Sequence, residues 1–232
     1  MSRQLHGLPK PVAFVFSGGV SLGAAQVGML RAVLEAGIRP DLLVGSSAGA
    51  LNAAFVAKDI SLARVEELAR IWQNLKKEDV FGRPTLRRAF HLLFRRISPV
   101  SCEAMEQLIA AHAPASYERL QAALVVVATN YFTGQTELFT SGDLRRHLLA
   151  STAIPVVFPP VSIGSALYVD GSVSAHVPLL PAPCPQQVPA YDFSHRQELV
   201  RMGFDAAAGF LAQTRLSGPG VYGAPHSHGE AP

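Results

Sequence analysis

Cysteine is nearly missing from this chain: Cys102 and Cys184 are the only two in 232 residues, far apart and without a CxxC partner. That spacing supplies neither a disulfide framework nor a zinc site, and both residues read as small hydrophobes. Long apolar runs are missing too. The longest, Val12–Phe16 and Ala122–Ala128, fall far short of the roughly 20 residues of a spanning helix, so an integral membrane protein is not expected. Val12–Phe16 is also too short for a signal h-region and runs directly into Gly18 and Gly19, which predicts a cytoplasmic chain. Charge is scarce, at 16% of residues, and its net excess of +3 is too mild to nominate a nucleic-acid partner. What is abundant is apolar side chain, 49% of the sequence, which excludes disorder and supplies a full core. The expectation is one domain over residues 1–214 and a tail over 215–232.

The order of elements is legible from periodicity. Val12–Phe16 predicts a buried strand stopped by Ser17-Gly18-Gly19. Leu22, Ala25, Val27, Met29, Leu30 and Val33 recur at helical spacing, with Gly37 as the stop. Asp41–Gly45 reads as a second strand, and Ala48–Ala57, small and apolar nearly all round, as a buried helix starting at Ser47. Strand, helix, strand, helix is the pattern of a parallel α/β sheet. Further on, the spacing predicts a helix over Ser61–Leu75, a strand over Ala122–Thr129 paired with Gln135–Phe139, and a helix near Asp143–Ser151. Ile154–Pro160 is too proline-rich for an interior strand and predicts an ordered loop. Leu167–Asp170 predicts a short strand ending at Gly171, Pro178–Pro189 an irregular connection, and Arg196–Ala212 a last helix. Thr85–Ile97 is amphipathic and basic, with Arg87, Arg88, Arg95 and Arg96 opposite Leu86, Phe90, Leu93, Phe94 and Ile97. It is either a solvated surface helix or a peripheral contact with a membrane surface.

Gly45-Ser46-Ser47-Ala48-Gly49 matches G-x-S-x-G at a strand end and helix start. In that context the flanking glycines relieve clashes at a sharp elbow and the central Ser47 hydroxyl is aimed outward; a Ser-capped tight turn is the plainer alternative. The loop Ser17–Gly23 also opens a helix, so its amides can cradle an anion. A dinucleotide fingerprint fails at Val20 and a P-loop fails at Ala24. The anion left is a transient one, the tetrahedral oxyanion of an ester attacked by Ser47. A serine nucleophile needs a base, and Asp170, His176 and His195 are the candidates.

Taken together, SGGVSLGAAQVGMLRAVLEAGI at 17–38, VGSSAGALNAA at 44–54, ASTAIPVVFPPV at 150–161, YVDGSV at 168–173 and DFSHRQELVRMGFDAA at 192–207 resemble the bacterial patatin-like phospholipase family. The resemblance implies a three-layer α/β/α sandwich with a mainly parallel central sheet. It also implies a lipid acyl hydrolase of the phospholipase A type, working without metal or cofactor through a Ser–Asp dyad and an acyl-enzyme. On that pattern Ser47 is the nucleophile, Asp170 the base, and the backbone amides of Gly18, Gly19 and Val20 the oxyanion hole, with Gly45, Gly49 and Gly171 as motif glycines. Such a base requires a carboxyl pKa raised by burial in an apolar groove. The chain departs from the pattern at Val20, at Leu22 and at Ser172, and is shortened after Leu179, which predicts an exposed sheet edge. Two rival readings are a catalytically degenerate lipid-binding domain and an α/β-hydrolase using Ser47, Asp170 and His195.

Overall fold

A computed structural model describes residues 10–82, 101–174 and 190–213. The basic segment Thr85–Ile97, His176, Cys184, the connection from Pro178 to Pro189 and the tail from 215 lie outside these residues. The strands are β1 (Ala13–Phe16), β2 (Leu42–Ser46), β3 (Ala123–Asn130), β4 (Thr136–Phe139), β5 (Val161–Ile163) and β6 (Ala166–Asp170). The helices are α1 (Gly23–Glu35), α2 (Ala48–Ala57), α3 (Leu62–Asn74), α4 (Lys77–Phe81), α5 (Glu103–His112), α6 (Leu144–Ser151) and α7 (Arg196–Gln213).

One six-stranded sheet runs in the order β1-β2-β3-β6-β5, with β4 also paired to β3. Strands β1, β2 and β3 are parallel, and the antiparallel β6 is followed by β5 in the original direction, so four strands share one sense. The sheet is the mainly parallel centre of an α/β/α sandwich, as the family resemblance implies. Leu43, Leu124 and Val126 are buried at its centre, packed with α2, which is apolar except for Asn52, as expected for a sheet covered by helices. Among the described residues β1 ends the sheet, and its Val15 is half exposed.

The first and last helices meet backbone to backbone. A Cβ on Gly28 of α1 would stand 1.8 Å from the Val200 carbonyl oxygen, and one on Gly203 of α7 would stand 1.9 Å from that of Ala25. Only glycine permits so close a crossing. Arg31 of α1 also lies 5.5 Å from the Phe204 ring centroid.

Three elements have no counterpart among the sequence expectations. Helix α4 and strand β5 are five and three residues long, too short to show a period. Helix α5 had a usable signal, since Met105 and Ile109 at i, i+4 are its buried residues and Glu103 and Glu106 occupy its first turn. Its neighbour Cys102 is half-buried, as a small hydrophobe should be, and burial pushes its thiol pKa up.

Candidate active site

Register along β3 decides which side chains meet. Ser46, the last residue of β2, pairs with Val127, and Asp170, the last residue of β6, pairs with Ala128. Two strand ends far apart in sequence therefore stop one residue apart on the same central strand. Beyond them the Ser47 hydroxyl donates to Asp170 Oδ2 at 2.6 Å, across a separation of 123 positions. Both residues are buried, Asp170 being only 3% exposed.

Ser47 caps the N-terminus of α2 at φ 53° and ψ −129°. A non-glycine residue in that region costs about 1–3 kcal/mol, so the surroundings must hold it. The holding group is Ser151, fully buried at the end of α6. Its hydroxyl accepts from the Ser47 amide at 2.9 Å and donates to the Val127 carbonyl at 2.6 Å, tying the elbow to β3. The motif glycines keep that elbow tight: a Cβ on Gly45 would lie 2.5 Å from Ala50 Cα, and one on Gly49 would lie 2.5 Å from the Phe16 oxygen. Ser151→Ala leaves the Ser47 amide and the Val127 carbonyl without this partner in the interior. It is expected to lower kcat for an ester substrate by between about ten- and a hundredfold with KM nearly unchanged. Steady-state kinetics on the folded variant check this, and an unchanged kcat would show that the elbow holds itself.

Burial pushes the Asp170 carboxyl above the ordinary carboxylate pKa, against the Ser47 hydroxyl and the Ser172 amide, whose hydrogen bonds pull it down. Oδ1 accepts from the Ser172 amide at 2.8 Å, which orients the carboxylate and leaves Oδ2 for Ser47. Desolvation is the larger cause, and it makes Asp170 a stronger base than a surface aspartate.

The loop before α1 passes directly over this pair. A Cβ on Gly18 would come within 2.1 Å of Ser172 Oγ and 2.9 Å of Ser47 Cβ. Gly19 stands at φ 155° and Val20 at φ 51°. The third loop position thus takes the left-handed conformation that glycine favours, although it is valine, and it lines the cavity beside Ser47.

A buried polar chain fixes the loop, and sequence reasoning did not find it. Trp72 Nε1 donates to Asn52 Oδ1 at 2.8 Å, and Asn52 Nδ2 donates to the Gly23 carbonyl and to Gln26 Oε1. Gln26 Nε2 closes the chain on the Ser17 carbonyl at 2.6 Å. The available signal was Asn52 itself, a lone amide in an otherwise apolar helix, which had to find partners when buried.

An apolar cavity enclosing about 80 Å³ opens beside Ser47. Ala48, Leu51, Asn52 and Phe55 line it along one face of α2, so at 1.5 Å per residue it follows the helix for about 12 Å from Ser47 to Phe55. Trp72, Phe81, Met105, Ile109 and Phe158 close it from α3, α4, α5 and the loop after α6. Its lining is almost wholly hydrocarbon, which suits an acyl chain.

Among the described residues no histidine joins the pair. His195 opens α7 with its ring at 3.3 Å from Glu198 and 3.6 Å from Asp192. His147 is buried against Tyr117 and Phe139, and His112 lies by Phe55 at the far end of the cavity. The triad reading therefore loses its third member among the described residues. Among those residues no group of three His, Cys, Asp or Glu stands where it could hold a metal ion, and no helix is long and apolar enough to cross a membrane.

The family model for patatin-like phospholipases matches residues 14–183. Lysophospholipase nte1 of Aspergillus terreus is 26% identical over 172 residues, 74% of this chain and 11% of that protein. An uncharacterized NTE family protein of Mycobacterium tuberculosis is 28% identical over 183 residues, 77% of this chain and 47% of that protein. Patatin-like phospholipase domain-containing protein 7 of Rattus norvegicus is 28% identical over 162 residues, 69% of this chain and 11% of that protein. The chain thus spans from about a tenth to about half the length of these relatives. The crystal structure of VipD from Legionella pneumophila superposes with a TM-score of 0.49 at 17% identity, covering 74% of this chain and 48% of that one.

Proposed function

Because the chain belongs to the patatin-like phospholipase family, we propose that it is a lipid acyl hydrolase whose Ser47 and Asp170 form a two-residue catalytic dyad. The observation that carries this reading is the buried 2.6 Å hydrogen bond from Ser47 to Asp170 beside an apolar cavity. Asp170 takes the hydroxyl proton as Ser47 Oγ attacks the acyl carbonyl carbon. The carbonyl oxygen becomes an oxyanion, met by the amides of Gly18, Gly19 and Val20 and favoured by the positive end of α2. Collapse breaks the bond to the alcohol, which leaves with the proton held by Asp170, and Ser47 keeps the acyl group as an ester. Water, giving its proton to Asp170, then attacks that ester; the acid departs and the proton returns to Ser47. The acyl chain lies along α2 toward Phe55 throughout, and its burial supplies the orientation that the chemistry needs.

Labelling by an alkyl fluorophosphonate tests the assignment directly. The parent is expected to hydrolyse p-nitrophenyl octanoate and, after labelling, to carry the phosphonyl mass on the peptide holding Ser47, with activity lost in proportion. His195→Ala should behave as the parent does. A folded parent that binds lipid without ester turnover would instead favour the degenerate lipid-binding reading.

A further inference from the structure

Three loops that converge on Asp170 turn apolar side chains outward. Phe132, in the turn between β3 and β4, is 75% exposed; Val156, in the loop after α6, is 74% exposed; Val173, in the turn after Asp170, is 54% exposed. Tyr131 is also exposed and stands edge-on to Phe132 with ring centroids 5.3 Å apart. Backbone and hydroxyl bonds tie two of these loops, and the strands flanking the third, to Asp170. Its amide donates to the Ala153 carbonyl at 2.9 Å, in the same loop as Val156. Its carbonyl accepts from Thr129 Oγ1 at 2.9 Å. The Thr129 hydroxyl is bonded to that of Ser174, next to Val173, and Ser174 Oγ accepts from Thr136 at the start of β4. Ile154 and Phe158, on either side of Val156, line the cavity beside Ser47.

Val156 is the most telling of these residues. It holds φ 70°, where a β-branched side chain is strained, yet its side chain projects into solvent and gains little packing in return. Glycine or asparagine would suit that turn better. A valine there is suited to a contact outside the fold, and its loop neighbours Ile154 and Phe158 line the cavity beside Ser47.

We propose that Val156, Phe132 and Val173 form an apolar rim that enters the surface of a phospholipid bilayer and sets the mouth of the cavity against it. The inference rests on the lipid acyl hydrolase reading, since a lipid held in a bilayer gives an apolar rim at that mouth its partner. The three rim residues carry no charge, so the rim takes zwitterionic lipid and its binding is nearly independent of salt.

The test uses the full chain carrying Ser47→Ala, so that lipid stays intact, in flotation with phosphatidylcholine vesicles at low and high salt. Binding is expected at both, weakened about tenfold by Val156→Asn and about tenfold by Phe132→Ser, and more by the two together. With Ser47 restored, Val156→Asn should raise the thermal midpoint and leave p-nitrophenyl octanoate hydrolysis within about twofold, which separates lost docking from misfolding. Failure of the Ser47→Ala chain to bind these vesicles, or equal binding by the rim variants, would overturn the proposal. So would a dimer in solution that Phe132→Ser dissociates, because the rim would then belong to a second copy. Rim-dependent vesicle binding without any ester hydrolysis by the parent would support the rim and remove the hydrolase reading alone.

Discussion

Replacing Asp170 by Asn is expected to cut ester hydrolysis by about 10⁴-fold, as is Ser47→Ala, with both variants folded. In the proposed dyad the carboxylate, which accepts the 2.6 Å hydrogen bond from the Ser47 hydroxyl, takes the proton, and an amide there cannot. Asp170→Asn should also differ from the parent in stability. Burial raises the folded-state pKa of Asp170 above its unfolded value. Its contribution to stability is therefore fully present below the unfolded pKa and is lost as pH rises through the folded one. At neutral pH the parent bears the cost of a buried carboxylate, a cost the neutral amide in Asp170→Asn does not carry. The thermal midpoint of Asp170→Asn should thus exceed that of the parent at pH 7, and the gap should shrink as the pH falls toward the ordinary carboxylate range. Melting curves of both proteins between about pH 4 and pH 8 would expose a wrong sign at once.

Gly18→Ala is the second large effect. The new methyl would be placed 2.1 Å from Ser172 Oγ and 2.9 Å from Ser47 Cβ. Ser172 can rotate, but Ser47 is pinned through its amide by Ser151, so the loop carrying Gly18, Gly19 and Val20 has to move away from the nucleophile. Loss of one oxyanion donor costs about 10²–10³ in kcat, or about 2.7–4 kcal/mol of transition-state stabilisation. A fall of that size is expected, with fluorophosphonate labelling of Ser47 slowed as well. An alanine variant with parental kcat would show that the loop takes no part in the chemistry.

The sequence by itself determined the alternation of strands and helices that places Ser47 at an elbow. Val12–Phe16, the spacing of Val27 and Leu30, and the apolar run Ala48–Ala57 are local signals, and local periodicity is set by which face of each element must leave water. The resemblance to the patatin-like family grouped Ser47, Asp170, Gly18 and Gly171 as one set, though without contacts among them. Tertiary structure alone decided the contacts, because β3 offers adjacent positions to Ser46 and Asp170, and pairing across so long a stretch leaves no periodic trace in the chain. The roles of Ser151, Gln26 and Trp72 were hidden for the same reason, and the lone amide of Asn52 called for partners without naming them: each satisfies a buried polar group on a different element. The strain at Val20 was signalled only by the glycine that the family pattern has there, and that at Val156 was unreadable, because a positive φ at valine opposes intrinsic preference and is imposed only by the packing and hydrogen bonds around it.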